Sequence, residues 1–429
     1  MMRLREKKLR RLLRFAYKRS PYYRETFAAR GITEENLSSV PLEHFPTIDK
    51  DTLIAHFERI VTRGGVSQHL LRECDAGTTL PGVHFVHSSG TTGTPRYFYY
   101  DTDAWNTMLA GIIRGAFWGM GFWKMVSVVA RGARLCYIAA VNGNYGGAVS
   151  IQDGIVGLNA EKLFIDLNTP VSQWLPKIKE FSPSMLMGYP SALKILAEQV
   201  EALGVDGGGF DKNRIQQIVT CGEPLLPSCR AYLEKVFARH VINFYGTSES
   251  LALGLEDSPE DGMILFDDLN YIEEIDGKMY VTCLYNYAQP LIRYHVSDRI
   301  RLLPDVPPKK DMVPFSRCSV VQSREEDIMW FTDGTRREFL HPLSVEGFCI
   351  EGLLDYQFVQ KSDASFLVVL EIGRGKTRTE AEEIGRKISM EIQSILDEKN
   401  LDFVDFSISF TDKIAPSSNG KKKLVVLDM

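Results

Sequence analysis

Nine consecutive residues, His87 to Pro95 (HSSGTTGTP), gather the hydroxyls and glycines that a phosphate-binding loop requires. Ser88, Ser89, Thr91 and Thr92 can donate to phosphate oxygens. Gly90 and Gly93 let the backbone approach an anion closely, where successive amides can form a nest. The stretch lies between an apolar run and the strand-like RYFYY. The GxxxxGK[ST] spacing of a Walker A loop is absent. Taken alone, a Ser/Thr/Gly loop is more often a plain turn, but the order SGTTGTP is far more specific than glycine richness. Metal and thiol chemistry have less support. The eight histidines form no HExxH, and His84 and His87, three apart in a predicted strand, point to opposite faces. The seven cysteines are scattered, odd in number and without a CxxC. That pattern fits a reducing cytosol and argues against a disulfide framework or a thiolate zinc site.

The loop resembles the phosphate-binding motif of the adenylate-forming superfamily, which includes acyl-CoA synthetases, firefly luciferases and peptide-synthetase adenylation domains. Further resemblances follow in the family's order. Gly222-Glu223-Pro224 looks like the stretch lining the adenine pocket, and Tyr245-Gly246-Thr247-Ser248-Glu249 resembles the YGxTE-type motif. Leu291 to Asp298 resembles the RYxxxD-type motif, Arg324-Glu325-Glu326-Asp327 the GRxDD hinge, and Gly420-Lys421 the end of the catalytic-lysine loop. Ser20 to Arg24, Pro46 to Lys50 and Gln289 to Tyr294 are similar to patterns of the phenylacetate–CoA ligase branch.

The resemblance implies a fold, a reaction and roles. The fold would be a large layered α/β domain, residues 1–322, followed by a smaller mobile α+β domain, residues 323–429. The reaction would be attack of a substrate carboxylate on the α-phosphate of ATP, with loss of pyrophosphate, then transfer of the acyl group to coenzyme A. Ser88 to Gly93 would hold phosphates, and Glu249 would hold Mg²⁺, a hard cation that prefers oxygen ligands. Tyr245, Gly246 and Thr247 would border the nucleotide, with Tyr245 against adenine. Asp298 would accept from the ribose hydroxyls, Arg324 would lie near ribose and phosphate, and Glu326 would be the hinge. Lys421 would offset charge on the transferring phosphoryl group, although Lys421–Lys423 also reads as a solvated run.

Three departures bear on the acid and the acceptor. Ser323 stands where the hinge motif has glycine. The stretch after the hinge, DIMWFTDGTRREFLHP, is longer than the branch's pattern. After Glu249, LALGLEDSPEDG replaces the branch's usual acyl-pocket sequence. Tyr137, Asn142, Asn144, Tyr145, Met187 and Tyr189 are candidate pocket residues, a mix of apolar groups and a few polar ones, and an aromatic or other small planar acid is preferred. Two other readings stay open: transfer to a carrier protein, amine or protein thiol, and a catalytically silent nucleotide-binding protein.

The elements that must position these residues alternate between strand-like and helical runs, as layered α/β architecture requires. Strands are predicted at 126–130, 160–167, 214–220, 241–245 and 278–284. Helices are predicted at 105–120, 171–181, 190–203 and 227–238. In the C-terminal part, 366–372 and 404–410 read as strands and 379–399 as a helix. Residues 3–30 read as a basic amphipathic helix interrupted at Pro21. At 429 residues the chain exceeds one ordinary core. Its net charge of -5 gives no reason to expect nucleic acid. Arg114 and Lys124 interrupt the most apolar stretch, Met108 to Ala130, so no membrane span is expected. The basic N-terminus is followed by no apolar run of signal-peptide length, and a cytoplasmic protein is expected. The sequence leaves a homodimer open.

Overall fold

The computed structural model describes all residues except 76–79, 89–95, 142–145, 155–159, 204–209, 305–312, 322–327, 346–347, 349, 351, 374–375, 415–423 and 429, and except the side chains of residues 88, 320, 321 and 343.

A nine-stranded sheet organises the larger part. Its strand order is Arg299–Leu302, Arg317–Val321, Met263–Leu265, Ser250–Glu256, Val241–Thr247, Gln217–Thr220, Met185–Gly188, Ala133–Ala139 and Ala160–Asp166. The five strands from Val241–Thr247 to Ala160–Asp166 are parallel, and the other four pair antiparallel. Parallel strands are buried on both faces and need helical crossovers. Met185–Gly188 and Gln217–Thr220 are accordingly buried throughout, and the helices Pro190–Ala202 and Pro227–Phe237 connect successive parallel strands. Proline opens both helices, where its missing N–H costs nothing.

Most predicted elements are present with shifted ends. The N-terminal region forms two helices, Met2–Arg19 and Pro21–Ala28, broken where Ser20 caps the second by accepting from the Tyr23 amide. Residues 126–130 are a correction. They form the end of a helix, Phe122–Ala130, and not a strand. Gly132, at φ +77°, ends that turn, and the strand begins one residue later at Ala133. The helix leaves Phe122 and Trp123 exposed. Among the described residues no helix is long and apolar enough to cross a membrane.

A second core lies toward the C-terminus. Four strands in the order Asp405–Thr411, Ser365–Ile372, Leu353–Ser362 and Val425–Leu427 are covered by the helix Arg378–Glu398. That helix buries Ile384, Ile388, Ile392 and Leu396, a four-residue repeat on one face. A capping box between Thr377 and Glu380 starts it. The hairpin Met329–Thr332/Arg337–Leu340 carries this part against the large sheet: Phe339 meets Trp174 edge-on at 5.7 Å, and Glu338 accepts from the Val171 amide at 2.7 Å.

Lys399 is buried in that contact. Its ammonium donates to the Leu167 carbonyl, lies 3.4 Å from Glu338 and sits 4.0 Å above the Phe339 ring. Burial pushes its pKa down from 10.5 to about 8, against the opposing pull of Glu338 and then Asp166 and Glu398. The folded chain therefore holds this proton less tightly than the unfolded chain. Between pH 8 and 10.5 the unfolded state binds more protons, so this group's contribution to stability rises with pH. Lys399→Met should remove roughly 2–3 kcal/mol of that rise. Urea unfolding of both proteins at either end of the window checks this, and identical pH slopes would overturn it.

Candidate active site

The carboxyl ends of the parallel strands carry the residues singled out in the sequence, at the edge where open α/β sheets bind ligands. Val241–Thr247 turns back into Ser250–Glu256 with Thr247 opposite Ser250, which puts Ser248 and Glu249 in the turn. A register shift falls between Tyr245 and Thr247, and Gly246 occupies it. A β-carbon at Gly246 would meet the Leu251 carbonyl oxygen at 2.3 Å, so only glycine fits this bulge.

Glu249 is 7% exposed. Burial raises its pKa above the ordinary carboxylate value, and the charge of Arg96 opposes that rise. Arg96 Nη1 lies 3.9 Å from Glu249 Oε1. Thr247 Oγ1, Tyr294 OH and Arg96 Nε are buried here without a hydrogen bond of good geometry. Arg96 pairs across a hairpin ladder with Ser88, so the two ends of the hydroxyl loop meet beside Glu249. Side-chain amides anchor that hairpin: Gln289 Oε1 accepts from the Tyr99 amide at 2.6 Å, and Asn286 Nδ2 donates to the Tyr99 carbonyl at 2.8 Å. Lys50 belongs to the same neighbourhood, since its pKa is lowered first by burial and then by the charge of Arg96.

Tyr245 and Asp298 are joined by a hydrogen bond of 2.7 Å from the phenol to the carboxylate. The segment before Asp298 is held by Arg293, which is 5% exposed and adopts φ +50°. Its guanidinium donates to Glu273 at 3.0 Å and to the carbonyls of Glu43 and Phe45 at 2.9 and 2.6 Å. Ile48 then bridges to Tyr294. The N-terminal pattern around Lys50 and the pattern around Arg293 are thus one physical unit.

On the other side lie Gly222, Glu223 and Pro224, directly beyond the strand Gln217–Thr220. Gly222 has φ +81°, and a β-carbon there would strike the Tyr189 ring at 2.5 Å. Glu223 accepts from the Ser191 amide and hydroxyl at 3.1 and 2.8 Å and from His341 Nε2 at 2.5 Å. Burial pushes the Glu223 carboxyl up, but His341 and Ser191 outweigh it and the net pKa is low. Tyr137, Met187 and Tyr189 are buried on neighbouring strand ends, with Tyr137 OH 3.8 Å from Cys221 Sγ.

No family model matches the chain. The phenylacetate-coenzyme A ligase of Aromatoleum evansii is 27% identical over 344 residues, covering 74% of this chain and 69% of the relative. The enzyme of that name from Pseudomonas putida is 25% identical over 348 residues, covering 76% and 72%. The chain resembles the phenylacetate–CoA ligase branch of the adenylate-forming enzymes. Its fold is also that of 2-hydroxyisobutyryl-CoA ligase, solved with 2-HIB-AMP and CoA in the thioesterification state: the TM-score is 0.59 at 18% identity, over 99% of this chain and 89% of that one.

Among the described residues, Tyr245, Gly246, Thr247, Glu249 and Asp298 gather on one side of the strand ends. Gly222, Glu223 and Pro224 stand on the other with the buried Tyr137, Met187 and Tyr189. Ser89, Gly90, Thr91, Thr92, Gly93, Asn142, Asn144, Tyr145, Arg324, Glu326 and Lys421 lie outside the described residues, and Ser88 contributes its backbone pairing alone. Three neighbours of the site escaped the sequence reading. Arg96 directly follows the hydroxyl loop, so its position was a usable signal. Lys50 closes a branch-like pattern. His341 carries no local signal for these contacts, because Glu223 and Ser191 lie 118 and 150 residues away.

Proposed function

We propose that the protein activates a carboxylic acid with ATP, forming an acyl-adenylate and pyrophosphate, and passes the acyl group to coenzyme A. The observation that carries this reading is the buried Glu249 carboxylate facing Arg96 and the ends of the hydroxyl loop, one turn away from the Tyr245–Asp298 pair. Both relatives are phenylacetate-coenzyme A ligases, and 2-hydroxyisobutyryl-CoA ligase supports the same reaction class by fold alone.

In this reading the division of labour follows chemistry. Ser88 to Gly93 and Arg96 hold the phosphates. Gly222 to Pro224 and Tyr245 flank adenine, while Asp298 accepts from the ribose. The site suits Mg²⁺: one desolvated carboxylate with the uncommitted oxygens Thr247 Oγ1 and Tyr294 OH is an all-oxygen set, and this ion is commonly held by one or two carboxylates plus substrate phosphates. Bound there, Mg²⁺ would neutralise charge on the phosphate oxygens. Arg324 and Lys421 supply further positive charge from the C-terminal domain, 323–429, which turns about Glu326 relative to 1–322. The acid is aromatic or another small planar one, in line with the apolar lining of Tyr137, Met187 and Tyr189.

The test is acid-dependent pyrophosphate release over a panel of aryl and short aliphatic acids, with and without coenzyme A. Release that coenzyme A accelerates, with a thioester product, is expected. Absence of acid-dependent release would overturn the reading, while release indifferent to coenzyme A would move the acceptor to a carrier protein or amine. Lys421→Ala should slow acyl-adenylate formation by about 10²-fold, the size expected for loss of one charge contact in the transition state. A normal single-turnover rate in that variant would remove the lysine from the mechanism.

A further inference from the structure

Glu223 and Tyr189 stand at the ends of adjacent parallel strands, yet the last partner of both comes from the C-terminal part of the chain. His341 follows the strand Arg337–Leu340 and is fully buried. Its ring tilts against Tyr189, with centroids 5.7 Å apart, and its Nε2 reaches Glu223. Tyr189 in turn lies against Gly222, where no β-carbon fits. The result is a closed stack of Gly222, Tyr189 and His341, bridged by the Glu223 carboxylate, which also receives the first N–H of the helix Pro190–Ala202, that of Ser191. That helix end favours a carboxylate and fixes one side of Glu223. His341 fixes the other.

We propose that His341 is a positioning residue that couples nucleotide binding to the seating of the C-terminal part, by holding the adenine-side segment 221–224 in its binding shape. The proposal rests on the adenylation reading for the identity of the nucleotide. Coupling of this kind is reciprocal. A seated His341 tightens the nucleotide site, and bound nucleotide holds the hairpin of His341 in place. Breaking the buried contact should therefore act on ATP affinity and leave the chemical step, which has no contact with His341, nearly untouched.

The experiment compares full-length wild type, His341→Ala and His341→Gln. The amide of glutamine can still donate to Glu223, so this variant separates the hydrogen bond from mere filling of space. His341→Ala should raise the KM for ATP about tenfold, a usual size for such coupling, while kcat for pyrophosphate release stays within about twofold and His341→Gln recovers most of the loss. Calorimetric titration with ATP should give the same ranking. Hydrogen exchange in unmutated protein supplies a second measurement: ATP should slow exchange at the Ser191 amide and across 337–341. An unchanged KM, a loss confined to kcat, or exchange at those amides indifferent to bound ATP would overturn the coupling. Wild type that binds ATP but releases no pyrophosphate with any acid would overturn the adenylation reading alone, because the binding titration still judges His341.

Discussion

Glu249→Gln should slow acid-dependent pyrophosphate release by roughly 10²–10³-fold, the range found when one preorganised electrostatic contact to a transition state is removed, and it should do so without loosening the fold. The two halves of this expectation have one cause. Burial raises the Glu249 pKa above the ordinary carboxylate value, and Arg96, at 3.9 Å, only partly compensates. A carboxyl whose folded pKa lies above its unfolded value of 4.5 binds its proton more tightly in the folded state. Its ionisation then costs stability at pH values above the folded pKa. Glutamine has nearly the same shape, keeps an acceptor oxygen and carries no charge to desolvate, and at 3.9 Å from Arg96 the carboxylate is too distant for a close charged hydrogen bond whose loss would offset this, so the variant should unfold at the same or a higher urea concentration at pH 7. Function and stability move in opposite directions, as at sites held under electrostatic strain for activity. A near-normal rate in Glu249→Gln would remove Glu249 from the reaction. Lost activity with a lowered urea midpoint would make it a folding residue.

The parts of this site that were legible in the sequence are those where chemistry and chain order coincide. Tyr245, Gly246, Thr247, Ser248 and Glu249 occupy five consecutive positions because one strand end and one tight turn present them together. Gly222-Glu223-Pro224 is legible for the same reason. Contacts assembled by the fold leave no such trace. Arg293 meets Glu43 and Phe45 across 250 and 248 positions, and His341 meets Glu223 across 118. No local spacing encodes either contact. The misread run at 126–130 has a different origin. VSVVA is short, mostly apolar and β-branched, and periodicity cannot separate a buried strand from the end of a helix over so few residues. The strand that does follow, Ala133–Ala139, has Arg134 as its second residue but runs continuously apolar from Leu135, a usable signal that the sequence reading passed over.

Arg293→Met should destabilise the protein by about 3–5 kcal/mol, the usual cost of removing one partner from a buried ion pair. The guanidinium is 6% exposed and Glu273, its partner at 3.0 Å, is 15% exposed. Burial raises the pKa of Glu273, and Arg293 is the charge that opposes the rise. Without Arg293, that carboxylate and the carbonyls of Glu43 and Phe45 lose a shared donor in a place water reaches poorly, and an unsatisfied buried group keeps its full desolvation cost. Lysine should rescue little, because one ammonium cannot reproduce the fork that serves a carboxylate and two carbonyls at once. The positive φ adds a second constraint. At +50° the backbone of residue 293 is in the left-handed region, which costs a non-glycine residue of order 1–3 kcal/mol and persists only where the surroundings over-determine it. Arg293→Gly would relieve that strain and lose the guanidinium, so it should fall short of the methionine variant's loss. Urea unfolding of the three variants and wild type at pH 7 gives the ranking. Equal midpoints for wild type and methionine would mean that the 43–48 segment is held by the Ile48–Tyr294 bridge and the apolar core, without help from the ion pair. The expected loss would instead make Arg293 the residue that fixes Tyr294 and, four positions on, Asp298, the residue proposed to accept from the ribose.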